Sequence, residues 1–76
     1  MRLIDYLIDN VGVGTIVIFR DGGSQIGMTR VDNDGLYLHS LSNVLLHLYQ
    51  VINWSYEERD WATKNVLVLD VKPICK

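Results

Sequence analysis

The sequence predicts a small α+β domain in which an antiparallel sheet of four to five strands packs against one or two short helices. The chain has 76 residues, enough for a single domain, which we assign to residues 1–76. Hydrophobic residues make up 49% of the composition, and they occur in short runs at both helical and strand spacing. Turn-forming Asp–Gly pairs, at residues 21–22 and 34–35, separate several of these runs.

Two segments show helical spacing. Residues 1–10 carry apolar and acidic side chains on opposite faces of a predicted helix: Leu3, Ile4, Leu7 and Ile8 against Asp5 and Asp9. We expect Gly12 and Gly14 to end it. The second helix is predicted within residues 41–50, with Ser40 or Ser42 as its N-cap. Its apolar stripe consists of Leu41, Val44, Leu45 and Leu48.

The remaining runs predict strands. The first three, at residues 15–20, 25–31 and 36–39, form a meander through the tight turns "DGGS" and "DNDG". Strict alternation in residues 51–56 favours a strand over an extension of the second helix. This strand forms a C-terminal hairpin with residues 66–71, across a polar loop at 58–65, and Pro73 ends the last strand.

Composition disfavours several classes of protein. The net charge is −2 and no basic block is present, which argues against a nucleic-acid binder. Asp5 and Asp9 interrupt the N-terminal apolar residues, and no run reaches the roughly 18 uncharged apolar residues of a membrane span. The single cysteine, Cys75, fits a reducing, cytoplasmic setting. The mean hydropathy of +0.13 is high for a short chain. Either most of the apolar residues pack inside, or an apolar face is left for a partner, the simplest being a second copy.

The run "RVDNDGL" at residues 30–36 has the composition of a calcium loop but not its spacing. With Gly35 at position 6 of an EF-hand loop, Asp32 and Asp34 occupy positions 3 and 5. Position 1 is then Arg30, and position 12, which needs a bidentate glutamate, is Leu41. We therefore predict a tight turn here and no metal site.

No other motif indicates metal or catalytic chemistry. His39, His47 and Cys75 lack the closely spaced ligand pairs of a structural zinc site. Cys75 is terminal, and no serine lies in a nucleophile elbow. The sequence therefore predicts a protein that is not an enzyme and needs no cofactor.

The segment "NWSYEERDWATK" at residues 53–64 combines residue types that are enriched at protein interfaces. Two interpretations stay open. Trp54 and Tyr56 belong to the core while Trp61 packs over the sheet edge, or the segment is a partner surface with Arg59 and Trp61 at the loop tip. The candidate partner-binding residues are Trp54, Tyr56, Glu57, Glu58, Arg59, Asp60 and Trp61.

The predicted strands offer two further modes of binding. Gly27 and the short strand at 36–39 would leave a sheet edge open for β-addition, which includes pairing with a second copy in a structural homo-oligomer. Tyr37, Trp54 and Tyr56 would form a stacking platform for nucleic acid, although the scattered basic residues disfavour this.

The layout resembles that of small orphan proteins encoded by phages and prophages of Gram-positive bacteria. The matching features are "LIDYL" near the N-terminus, a hairpin turning on "RDGG", and "VINWSYEE" followed by "VLVLDV". Some such proteins are anti-CRISPR inhibitors that block a nuclease complex by binding it. The resemblance therefore implies a non-enzymatic, protein-binding inhibitor of a host defence protein, acting in the host cytoplasm on a host or phage protein. It carries no site motif, so no functional residues transfer.

Overall fold

The computed structural model describes residues 1–74 and confirms the α+β class, with a four-stranded sheet and two short helices. A 3₁₀ helix precedes the second α-helix. In chain order the elements are α1 (Leu3–Asn10), β1 (Ile16–Asp21), β2 (Ser24–Arg30), the 3₁₀ helix (Leu36–Ser40), α2 (Asn43–Leu48), β3 (Tyr49–Glu57) and β4 (Val66–Pro73).

The strand order is β2-β1-β4-β3, so the sheet is mixed. The two outer pairings, β1–β2 and β3–β4, are antiparallel as expected, whereas the central pair β1–β4 is parallel. The predicted three-stranded meander is wrong, because only its first two strands, β1 and β2, are present, and the strand on the other side of β1 is β4. The sequence of β4 is consistent with this position, since Val66 through Leu69 are all buried, and a continuous apolar run is typical of an inner strand covered on both faces.

The predicted third strand at 36–39 is also wrong, since these residues lie in the 3₁₀ helix. The Asp32 carboxylate Oδ1 accepts a hydrogen bond from the Leu36 backbone N–H at 3.1 Å, and Gly35 has a φ of 74°. This Asx-type turn directs the chain into a helical turn rather than into a paired strand. "DNDG" is thus a turn, as expected, but it does not connect two strands.

The hairpin at "DGGS" is confirmed. Gly22 and Gly23 have φ angles of 62° and 90°, which a two-residue hairpin loop requires at both central positions. Further along β2, the pairing register shifts, and Gly27 lies opposite Phe19. A Cβ atom on Gly27 would lie 3.3 Å from Phe19 Cδ2, so the glycine makes room for the buried ring.

Both helices form where expected, but each buries a narrower face than the sequence predicts. α1 buries Leu3 and Leu7, whereas Ile8 is exposed. It ends at Asn10 with an extended Val11, ahead of the predicted glycines.

α2 is capped by Ser42, whose Oγ accepts a hydrogen bond from the Leu45 N–H at 3.0 Å, so this N-cap is confirmed. Leu45 and Leu46 are buried, while Val44 and Leu48 of the predicted stripe are exposed. The helix has only six residues, so burial of these two leucines alone fixes which side faces the sheet.

Two apolar clusters hold the sheet. The main core lies between the helices and one face of the sheet, and its most buried members are Leu3, Leu7, Val17, Phe19 and Leu69. A smaller cluster of Ile18, Val66 and Val68, with Ile16 and Ala62 packed against it, occupies the other face. Within residues 1–74, neither helix has the length and apolar character needed to cross a membrane.

Candidate protein-binding surface

The edge strand β3 changes its surroundings halfway along its length. In its first half, Tyr49 and Val51 pack against the main core. In its second half, Trp54 lies opposite Leu69 and Tyr56 lies opposite Leu67, so both aromatic residues share the helix side of the sheet with the core. They are nevertheless 55% and 56% exposed. The interpretation that places them in the core is therefore wrong.

Trp54 and Tyr56 form an aromatic pair on this surface. Their ring centroids lie 5.9 Å apart with an interplanar angle of 75°, an edge-to-face arrangement. On α1, burial and, second, the neighbouring Tyr56 raise the pKa of the Tyr6 phenol above its ordinary value. The helix therefore borders the pair on one side and leaves the rest of the two rings open to solvent.

The loop between β3 and β4 brings a third aromatic side chain to the same region. Ala62 packs against the small cluster on the second face of the sheet, and its N–H donates to the Arg59 carbonyl at 3.1 Å. This contact anchors the loop, yet Trp61 remains 57% exposed. The interpretation that packs Trp61 over the sheet edge is therefore wrong as well. We call Trp54, Tyr56 and Trp61 the aromatic surface.

A groove links the loop to the end of the sheet. Its volume is about 590 Å³, and both Tyr56 and Trp61 line it. The groove is also lined by Arg30 from the end of β2, Lys64 from the loop and Ile16 from β1. Lys64 belongs to the segment 53–64 that the sequence singles out, whereas Ile16 and Arg30 come from distant segments, and no local spacing indicates that they meet it.

An ion-pair network sets the positions of Glu57 and Arg59. Arg59 Nη2 lies 2.7 Å from Glu57 Oε1, and Arg20 Nη2 lies 3.5 Å from Glu57 Oε2. Arg20 Nε also lies 3.7 Å from Asp70 Oδ1, close enough for an ion pair but too far for a hydrogen bond. Because these side chains are partly exposed, we assign the network a role in orientation rather than a large stabilisation.

This network corrects one part of the predicted site. Arg59 is half-buried and bonded to Glu57, so it does not extend into solvent at the loop tip as expected. Glu58 and Asp60 are exposed. The structure therefore leaves Trp54, Tyr56 and Trp61 exposed, and it pairs Glu57, which lies on the opposite face of β3 from Tyr56, with Arg59.

Tyr37, the third member of the predicted stacking platform, is in the wrong place for that role. It lies in the 3₁₀ helix and is buried in the main core, whereas Trp54 and Tyr56 are exposed. Burial, and second the charge of Asp32, raise the pKa of its phenol above the ordinary value. The platform predicted for nucleic acid is therefore not formed.

This burial predicts a loss of stability in alkaline solution. In the unfolded chain the Tyr37 phenol ionises with a pKa of about 10, and in the folded protein its pKa is higher. The contribution to folding is therefore complete below about pH 10 and declines as the pH rises through the folded-state pKa. We expect the free energy of unfolding to fall more steeply above about pH 10 in the natural protein than in Tyr37→Phe. Urea unfolding at several pH values checks this, and equal slopes for the two proteins would contradict it.

The predicted metal candidates do not form a shared site in the described part of the chain. Asp32 is engaged in the turn at Gly35, His39 lies in the 3₁₀ helix and His47 lies in α2. Within residues 1–74, no group of three or more His, Cys, Asp or Glu side chains is arranged to hold a metal ion. Cys75 lies outside the described residues.

Comparison with known proteins adds no further identification. No protein-family model matches the chain, and no curated protein or solved structure is significantly similar to it. Its function is therefore inferred from the geometry of its own surface.

Proposed function

We propose that this protein is a small, non-enzymatic protein-binding module that docks its partner on the aromatic surface. The observation that supports this is the continuity of three exposed aromatic side chains. Trp54 contacts Tyr56 edge-to-face, and Tyr56 and Trp61 line the same groove. Tryptophan and tyrosine are enriched at the centres of protein interfaces, where they supply large contact areas with few rotatable bonds.

The surroundings of the aromatic surface suit a protein partner. Exposed charged residues, Glu58 and Asp60, flank it on the loop, and Arg30 and Lys64 lie along the groove. An apolar centre with a mixed polar rim is the usual composition of a protein interface. The anchoring of the loop through Ala62 and Arg59 limits how much the surface must order upon binding, which favours affinity.

The resemblance to small phage proteins suggests the class of partner. We propose that the module covers a functional surface of a host defence protein in the cytoplasm, with CRISPR-associated nuclease complexes as the favoured target. Inhibition by coverage requires only a binding surface, which is consistent with a site made of aromatic and charged side chains.

Affinity capture from a lysate of Gram-positive cells tests the proposal with matched variants. Trp61→Ala removes a groove-lining ring, and Val44→Ala removes an equally exposed apolar side chain from α2, outside the aromatic surface. We expect the natural protein and Val44→Ala to retain the same protein, and Trp61→Ala to lose at least tenfold of it. Equal retention by all three would contradict the proposed site. Mass spectrometry of the retained protein then tests the target class. A protein unrelated to CRISPR systems would exclude a CRISPR-associated nuclease complex as the target.

A further inference from the structure

The outer edge of β3 is divided into a covered half and an open half. In the covered half, Arg2 forms a bridge with Gln50, and the Val51 N–H donates to the Met1 carbonyl at 3.1 Å. Beyond the register shift at Ile52, residues 53–57 pair with β4 on one side. Within residues 1–74, no strand pairs with the outer side of this segment.

Along the open half, the backbone N–H and C=O groups of successive residues point alternately toward β4 and outward. The Trp54 N–H donates to Asn53 Oδ1 at 2.9 Å, a side-chain acceptor rather than a strand. Because alternate residues of an antiparallel strand direct their backbone groups to the same side, Tyr56 shares the outward orientation of Trp54. The open edge thus offers the N–H and C=O groups of two residues to an incoming strand.

We propose that this edge pairs with the same edge of a second copy, giving a two-fold symmetric dimer with a continuous eight-stranded sheet. The open segment, residues 53–57, is centred on Ser55. An antiparallel register centred there uses all of the open segment and avoids the half covered by Met1 and Arg2. In this register Ser55 faces Ser55, Trp54 faces Tyr56 of the second copy, and Asn53 faces Glu57 of the second copy.

The side chains are compatible with this symmetric arrangement. The two outward residues become hydrogen-bonded pairs, and each tryptophan meets a tyrosine across the interface, a favourable cross-strand combination. Glu57, the one charged residue of the segment, faces a neutral asparagine and not another carboxylate. The segment contains no lysine or proline, the residues with which natural edge strands commonly prevent pairing.

The dimer rests on the proposed function in one respect, because Trp54 and Tyr56 act as contact residues in both. Trp61 lies outside the paired segment and stays available to a different partner, whereas Tyr56 both lines the groove and belongs to the paired segment. Pairing also requires the Trp54 N–H to exchange its bond with Asn53 for one with the second copy. Because the interface is short, we expect a dimer that forms at micromolar concentration.

A disulfide placed on the symmetry axis tests this register. In a Cys75→Ser background, Ser55→Cys would put two thiols in directly opposed, non-hydrogen-bonded positions, with Cα atoms about 4.5 Å apart, inside the range that disulfides span. Ser24→Cys, which is exposed at the start of the other edge strand, is the matched control. Under mild oxidation at tens of micromolar, we expect Ser55→Cys to form a covalent dimer at least tenfold faster than Ser24→Cys.

A second variant tests the backbone pairing. Tyr56→Pro removes an outward N–H while leaving the inward ladder with β4 in place, a position where an edge strand tolerates proline. Light scattering should give twice 8.7 kDa for the natural protein at high concentration and 8.7 kDa for a folded Tyr56→Pro. If Tyr56→Pro does not fold, the cysteine pair decides.

Equal oxidation rates for the two cysteine variants, together with a monomer of 8.7 kDa at 100 micromolar or so, would overturn the dimer. The proposed function is judged separately, since capture through Trp61 does not require Ser55. If Trp61→Ala captures as much partner as the natural protein while Ser55→Cys cross-links rapidly, the dimer is retained and the proposed site for a different protein is rejected.

Discussion

Replacing Phe19 with alanine is expected to lower the free energy of unfolding by about 3–5 kcal/mol. The Phe19 side chain lies on the inner strand β1 and is fully buried. Its ring occupies space that a side chain at Gly27 would fill. A 76-residue domain has a total stability of roughly 4–11 kcal/mol, so the change removes much or all of it. Urea unfolding followed by circular dichroism measures the effect, since both tryptophans are already exposed in the folded state.

Met28→Ala is the control for Phe19. Met28 lies on β2 beside Gly27 and is 51% exposed, so its truncation should change stability by less than about 1 kcal/mol. If Phe19→Ala and Met28→Ala lowered the free energy of unfolding by similar amounts, Phe19 would not be a buried residue of the main core, and that assignment would be contradicted.

The second large effect is expected at α1, where Leu7→Ala should lower the free energy of unfolding by about 2–5 kcal/mol. Leu7 is fully buried, whereas its neighbour Ile8 is 58% exposed. Both substitutions introduce the same strong helix former, so the difference between them reports burial and not helix propensity. Ile8→Ala should therefore stay within about 0.5 kcal/mol of the natural protein.

Thermal and urea unfolding of both α1 variants measure this difference. An equal loss from Ile8→Ala would mean that Ile8 is covered in solution. That outcome would favour association through α1 over association through β3, because Ile8 lies on the outer side of the helix.

Features determined by neighbouring residues could be predicted from the sequence. The loop at Gly22 and Gly23, the Ser42 cap and the strand at residues 51–56 each depend on residues that are close in the chain. The order of the strands could not, because it depends on which edges meet across the whole domain. The uninterrupted apolar run at residues 66–69 was the available signal that β4 is an inner strand, since such a run is typical of strands covered on both faces.

The candidate site was predicted in part. The aromatic residues of β3 and its loop were identified by type, but their exposure depends on where the helices end over the sheet. α1 and α2 cover Tyr49 and Val51 and stop short of Trp54, a limit set by tertiary packing and not by spacing within β3. Arg59 was misjudged for a similar reason, because its bond to Glu57 depends on how the loop folds back.

The parallel pairing of β1 with β4 has a consequence for the time course of folding. Val17 pairs with Leu67, a residue 50 positions away in the chain, whereas each outer hairpin joins residues that are much closer together. Contacts between distant residues form late, because the intervening chain must first lose its freedom. During synthesis, the β1–β2 hairpin emerges long before its central partner exists. Until residues 66–73 have been made, one side of β1 has no neighbour, and the nascent chain presents an apolar strand to the chaperones around it.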